Sequence, residues 1–385
     1  MYDCIRYYDP FFMLAIEGLS GDYEKDALFL GEMYERFKDQ ELERKIRNNC
    51  SFFLQTLYPD EMGEEPIPYE VVNQDMIEQM VNEADTYIRQ SQFADAEELL
   101  KKTISMAEDI YRLILRHDPE ETCEYHSFSE YFEEFLYRYL YQSGKKVISL
   151  SIPYANIYRM YATVLVNLKK YEQAEAAYKE SLKWNPVNAQ ATFEYLDLIK
   201  RLGRKDEYFQ RTINAFQIAF RPEHIAMCYR NIGFYFMRRG KWSAAVNCDL
   251  LSLRYDEANE KDIQSELNQI QQKSRLKNIS FSETKMHELK EKYGVPIGAN
   301  EDLVSMACCL GCVFLKQKKY EKVKSIFKIG ISLLSSFEID RMLKWMSERD
   351  HLLRRGQRPT TRLASICRKG RFTPSCYEVR LEGGS

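Results

Sequence analysis

A recurring period of 34 residues constrains this chain more than any other feature. Residues 155–188 read A-N-I-Y-R-M-Y-A-T-V-L-V-N-L-K-K-Y-E-Q-A-E-A-A-Y-K-E-S-L-K-W-N-P-V-N. Counted from Ala155, Ala162 stands at position 8, Leu165 at 11, Tyr171 at 17, Ala174 at 20, Tyr178 at 24 and Pro186 at 32. Pro186 ends the unit, because proline lacks an N–H and disfavours helix in Asn185 before it. The same set recurs. Residues 77–110 place Ala84 at position 8 and Ala96 at 20; residues 226–259 place Gly233 and Ala245 there; residues 304–337 place Gly311 and Val323 there. Residues 189–222 follow in phase and keep Gly203 at position 15, but carry bulky Leu196 at 8 and Tyr208 at 20. The starts at 77 and 155, and again at 226 and 304, are 78 residues apart, which leaves room for a further degenerate helix pair in each gap.

This pattern resembles the tetratricopeptide repeat, a helix–turn–helix unit whose helices approach closely at the small residues of positions 8 and 20. Tyr161 at position 7 and Lys169 at position 15 depart from the leucine and glycine usual there. The resemblance covers residues 77–337 and implies an all-α fold, a right-handed α-solenoid of stacked pairs. It further implies an extended concave face, lined by first-helix positions 2, 5, 9, 12 and 13, that takes a peptide or helix. Those positions assign Asn156, Arg159 and Asn167 to the face, then Phe193, Asp197, Lys200 and Arg201, then Arg230, Phe234, Met237 and Arg238. Five cations against one acid point to an acidic or carboxylate-bearing peptide, with Phe193, Phe234 and Met237 taking its apolar side chains. A bland alternative is that these charges pair with neighbouring repeats, where exposed pairs are worth little. The chaperone-tail clamp of some members is not matched: Arg159 suits it, but Thr163 and Glu194 do not.

The rest of the chain divides around that stack. Residues 1–76 read as an N-terminal helical hairpin, with helices over 22–38 and 41–57, and a linker over 59–68. The stack itself is assigned to 77–350. Within 111–154, the stretch 125–141 holds eight aromatic residues. Phe128, Tyr131, Phe132, Phe135 and Tyr139 share one helical face and read as core. Residues 260–303 accommodate two more helices, the second capped by Ser282 and stopped at Gly294 to Pro296. A capping helix is expected after Phe337. Residues 351–385 lack helical period and are expected to be a disordered basic tail.

Charge and chemistry exclude several classes. The net charge is −3; the last 35 residues hold eight Lys/Arg and two Asp/Glu, so the tail is +6 and the body −9. Only Phe372 and Tyr377 interleave with the tail's cations, which argues against nucleic acid. No stretch approaches the roughly 20 apolar residues that span a bilayer, and no signal peptide is apparent. Ten scattered cysteines without framework spacing point to a reducing, cytoplasmic setting. The Cys309-x-x-Cys312 pair, next to Cys308, has no second pair or nearby histidine, so packing is favoured over metal or redox work. Glu133 with Glu134, and Glu120 with Glu121, read as solvated surface acids. No nucleotide, zinc-protease or nucleophile-elbow motif occurs. The expectation is a non-enzymatic interaction scaffold with no cofactor or metal. Two alternatives stay open: a peptide-responsive signalling or transcriptional regulator, and an enzyme whose site is hidden in 111–154 or 260–303.

Overall fold

A computed structural model describes residues 20, 22–37, 68–116, 123–141, 145–256, 260–274, 280–316 and 319–333. Helix α1 spans Tyr23–Phe37. Helices α2 (Pro68–Arg89) and α3 (Phe93–Arg116) form the first pair and run longer than the 34-residue unit requires. After them come β1 (Cys123–His126), α4 (Tyr131–Tyr141) and β2 (Lys146–Ser149). The stack resumes with α5 (Tyr154–Asn167) against α6 (Tyr171–Trp184), then α7 (Ala189–Arg201) and α8 (Lys205–Ala215). Next are α9 (Pro222–Arg238) against α10 (Trp242–Leu253), and α11 (Glu260–Ser274) with α12 (Glu283–Tyr293). The final described pair is α13 (Glu301–Lys316) and α14 (Tyr320–Ser332).

The helices of α2–α3, α5–α6, α9–α10 and α13–α14 pack closely within each pair, α11 and α12 both pack back on α10, and the buried apolar residues form two clusters, one on α2, α3 and α5 and one along the later helices. Ala84, Ala162, Gly233 and Gly311 are all buried at position 8. Gly233 shows why the position is small: a Cβ there would lie 2.2 Å from Asp249 Oδ1 on α10 and 3.5 Å from the Ala245 carbonyl oxygen. In the α7–α8 pair, Leu196 and Tyr208 fill the contact instead, and both are buried. Position 15 has one conformation in the four units where that residue is described. Ser91, Lys169, Gly203 and Gly240 have φ of 59°, 60°, 72° and 68°, the left-handed turn that reverses the chain between paired helices. Lys169, a departure from glycine in sequence, therefore keeps the glycine geometry. Ser282 caps α12 by accepting from Lys285 N at 3.3 Å, and Gly294 ends it at φ 68°.

Residues 111–154 differ from a degenerate helix pair. The chain extends α3 to Arg116, then forms two parallel strands joined through α4, with Cys123 opposite Lys146 and His126 opposite Ser149. Strand β1 hands over to the stack through Ser127 N, which donates to Trp184 O at 3.0 Å. Phe128 lies in the turn before α4 rather than on its face. Phe132, Phe135, Leu136 and Tyr137 are buried, while Tyr131 is 41% exposed. The expected second hairpin helix at 41–57, the helix after Phe337 and the 351–385 tail lie outside the described residues, as do residues 117–122 and the side chains of Cys308, Cys309 and Cys312. Among the described residues, no helix is long and apolar enough to cross a membrane.

Candidate functional site

The first helices of the stack, α5, α7 and α9, carry the face assigned from sequence, and local pairing divides it in two. On α5, Arg159 Nη1 donates to Glu194 Oε1 of α7 at 2.7 Å, and its Nη2 donates to Asn156 Oδ1 at 2.8 Å. Thr163 Oγ1 donates to the other Glu194 oxygen at 2.8 Å. Arg159 is thus held by the neighbouring repeat, and Asn156 by Arg159 on its own helix, which is the bland alternative of the sequence reading. Asn167 is exposed but donates to its own helix at Thr163 O, 2.8 Å away. Arg230 Nη1 reaches Asp256 Oδ2 at 3.3 Å, which neutralises it in the same way.

Phe193 is 3% exposed and lies in the core, with its ring centroid 5.9 Å from that of His224. It offers no surface to a ligand, a correction to its assignment as an apolar contact. The C-terminal ends of α7 and α9 differ. Arg201 and Arg238, both at position 13, are exposed, and among the described residues neither has an ion-pair partner. Phe234 and Met237 are half-buried on α9, and the Lys200 ammonium lies 4.0 Å from the Phe234 ring centroid. The face therefore reduces to Lys200, Arg201, Phe234, Met237 and Arg238, with exposed Asp197 beside them.

At the opposite, N-terminal ends of α5, α7 and α9 lies a cavity of about 450 Å³. The turn from β1 into α4 forms one wall, and the first turns of the three helices form the others. Glu133 is the central group. It is 3% exposed, and its Oε2 accepts from Asn185 Nδ2 at 2.7 Å, Ser129 N at 2.7 Å and Glu130 N at 3.2 Å. The two backbone bonds are the capping contacts of α4, since a glutamate one turn into a helix can reach back to its first amides. Burial outweighs these bonds and pushes the Glu133 carboxyl up to about 7. His224, on the far wall, has a buried Nδ1 with no hydrogen-bond partner. Burial, with the Arg221 charge second, lowers its imidazole to about 4, so the ring is neutral at pH 7.

Arg221 is ion-paired with Glu130, which joins the α4 turn to the start of α9. Asn188 caps α7 by accepting from Ala191 N at 2.8 Å, and its Nδ2 donates to Ser129 Oγ at 3.1 Å.

The reading of Glu133 and Glu134 as solvated surface acids is overturned for Glu133, which is buried against Asn185. Glu134 pairs instead with Arg138 at 2.5 Å, one turn along α4. Residues of the cavity carry little sequence signal. Ser129 and Glu133 have the spacing of a helix start, but nothing local tells that the carboxyl faces Asn185, 52 residues on. Among the described residues, no cluster of His, Cys, Asp and Glu is disposed to hold a metal.

Comparisons with known proteins bear on the stack. Residues 155–188 match the tetratricopeptide repeat family model. Among solved structures, Pseudomonas aeruginosa PilF is 15% identical, with a TM-score of 0.37, over 71% of this chain and 98% of that one. A tetratricopeptide repeat protein from Parabacteroides merdae is 13% identical, with a TM-score of 0.29, over 70% of this chain and 97% of that one. No curated protein matches the chain. Residues 155–188, by the spacing of their small and aromatic positions, by the α5–α6 pair they form and by the family match, are a tetratricopeptide repeat.

Proposed function

We propose that this chain is a non-enzymatic interaction scaffold that takes an acidic or carboxylate-bearing peptide across the C-terminal ends of α7 and α9. The observation that carries this reading is the pair Arg201 and Arg238. Two consecutive repeats present a cation at position 13, exposed and without an ion-pair partner among the described residues, while Arg159 and Arg230 of the same face are paired internally. Half-buried Phe234 and Met237, on the same helix as Arg238, give an apolar side chain a place to rest. Lys200 above Phe234 adds a third cation. Cations at the ends of two helices also complement the helix dipoles, but that role does not need them unpaired. Such a face would steer an acidic partner in from solution and bind it without a cofactor. Free Cys228 and Cys248, both buried thiols, are in keeping with a reducing, cytoplasmic setting.

The test uses a panel of acidic and charge-neutral peptides of equal length, measured by fluorescence anisotropy across a range of salt. The acidic peptides are expected to bind more tightly, with affinity falling as salt rises. A double variant, Arg201→Glu with Arg238→Glu, is expected to slow association by about tenfold and to flatten the salt response. Equal binding of both peptide classes, or a double variant that binds as the parent does, rejects the face.

A further inference from the structure

The first turns of α5, α7 and α9 meet around one cavity, so the far ends of these helices share the opposite edge of the stack. The turns that leave those ends are basic and hold no acid: N-L-K-K over 167–170, R-L-G-R-K over 201–205 and R-R-G-K over 238–241. One cation in each joins its turn to the pair before. Lys170 Nζ meets Glu97 Oε2 of α3 at 2.7 Å, and Arg204 Nη2 meets Glu175 Oε2 of α6 at 2.9 Å. Both cations stand at position 16, and both acids at position 21 of the preceding clear unit. The next step breaks this series, because position 21 of 189–222 is Phe209. Lys241, at position 16 of 226–259, finds no carboxylate there; its ammonium lies 4.4 Å from the Tyr293 ring centroid, and Arg239 pairs with Asp206 instead.

What remains is a row of exposed cations that, among the described residues, no ion pair takes: Lys169 in the first turn, Arg201 and Lys205 in the second, Arg238 and Lys241 in the third. Glu172 and Asp197 are exposed acids near the row that are likewise unpaired. Five cations against two acids thus persist on one edge of a body whose own charge is −9. We propose that the partner is an extended acidic segment that lies along this edge, with a carboxylate at about every third residue, a placement that rests on the acidic-peptide reading above. Neighbouring first helices are about 10 Å apart, and an extended chain advances about 3.3 Å per residue, so about three residues carry it from one turn to the next. A helix needs about seven residues for the same step and docks through apolar anchors. Of the residues in the three turns, Leu202 is the one exposed large apolar side chain. Duplex nucleic acid carries a charge every ~1.7 Å, far denser than five cations over about 20 Å. A single strand stacks its bases on rings, and the three turns hold no aromatic residue.

Labelled sixteen-residue peptides of glycine and serine, each with three glutamates, test the edge on the full chain by fluorescence anisotropy. The glutamates are contiguous in one peptide, at every third residue in another and at every seventh in a third. At low salt the every-third peptide is expected to bind about fivefold more tightly than the contiguous one, the gain from a further exposed charge contact. Equal affinity for the two overturns the row and leaves the pair Arg201 and Arg238 standing as a site. Failure of every acidic peptide to bind defeats both readings. Tightest binding of the every-seventh peptide overturns the extended chain. Tighter binding of a short single-stranded oligonucleotide with three phosphates overturns the peptide as occupant.

Lys169→Glu separates the row from the arginine pair, because Lys169 lies one repeat before Arg201 and is exposed. The variant is expected to weaken the every-third peptide about fivefold. A control peptide with two glutamates three residues apart reaches only from Arg201 to Arg238, and its affinity is expected to change less than twofold. Arg201→Glu with Arg238→Glu is expected to weaken both peptides. The spacing comparison on the parent chain needs no substitution and stands whether or not a variant folds. Equal losses for the two peptides in Lys169→Glu, or no loss for either, place the acidic segment off the α5–α6 turn and overturn the row.

Discussion

Glu133 and His224 face one cavity, and burial moves their titrations in opposite senses. The Glu133 carboxyl, ordinarily near 4.5, is raised to about 7, so it contributes stability below pH 4.5 that is lost as pH rises to 7. The His224 imidazole, ordinarily near 6.5, is lowered to about 4, so its contribution is complete above pH 6.5 and is lost as pH falls to 4. Between pH 4.5 and 6.5 the two slopes oppose each other. Glu133→Gln should therefore gain stability relative to the parent as pH rises from 4.5 to 7, by an amount on the order of a few kcal/mol. His224→Gln should lose stability relative to the parent as pH rises from 4 to 6.5. Melting temperatures of parent and variants from pH 4 to 8 measure both. Parallel curves for either variant would show that its group keeps its ordinary titration in the folded state. Turn residues make a second prediction at this scale. Lys169 holds φ of 60° where glycine is unstrained, so Lys169→Gly should stabilise by up to about 1 kcal/mol. Gly203→Ala should cost about the same, because a Cβ there meets nothing within 4 Å and only the φ of 72° opposes it. Urea unfolding reads both values, and Lys169→Gly is sound only if its gain appears without a change in the denaturant slope.

Helix α4 is the element whose place the local sequence did not reveal. Its aromatic run has helical spacing, and the largely buried Glu134–Arg138 pair links successive turns. The two four-residue strands beside it are too short to announce themselves among so many aromatic side chains. Docking comes from contacts far along the chain. Phe132 is 2% exposed and packs on Phe220 at 5.1 Å between ring centroids, while Tyr131 and Phe135 lie against Phe314 of α13 at 5.7 and 6.1 Å. Arg138 Nη2 donates to Val147 O at 3.1 Å and so ties the helix to β2. Phe132→Ala would remove the most deeply buried ring of α4, at a cost of about 3–5 kcal/mol. Hydrogen exchange should then quicken in α4 and β1 while the α9–α10 pair stays protected. Uniform protection across all three would mean that the rest of the insert holds α4 in place.

The whole molecule is a stack whose repeating plan is written in short-range chemistry. A small residue at position 8, a left-handed turn at position 15 and, after α6, a proline act within one helix pair, so their marks fall at a regular interval. That is why Ala162, Ala174 and Pro186 together place α5 and α6 from sequence, and why Ser282 and Gly294 place α12. The face on the stack is a different matter. Positions 2, 5, 9, 12 and 13 tell which residues point inward, but not which of them a neighbour has already taken. Glu194 captures Arg159 from 35 residues away, and Asp256 captures Arg230 from 26. Burial of Phe193 and Glu133 depends on the β1–α4–β2 insert folding back over the starts of α7 and α9. The sequence by itself thus determined the repeat, its turns and the list of inward positions, because those follow from helix periodicity and backbone conformation. Only the tertiary structure decided which charges remain unpaired and where a polar cavity opens, because both depend on side chains brought together from far apart in the chain.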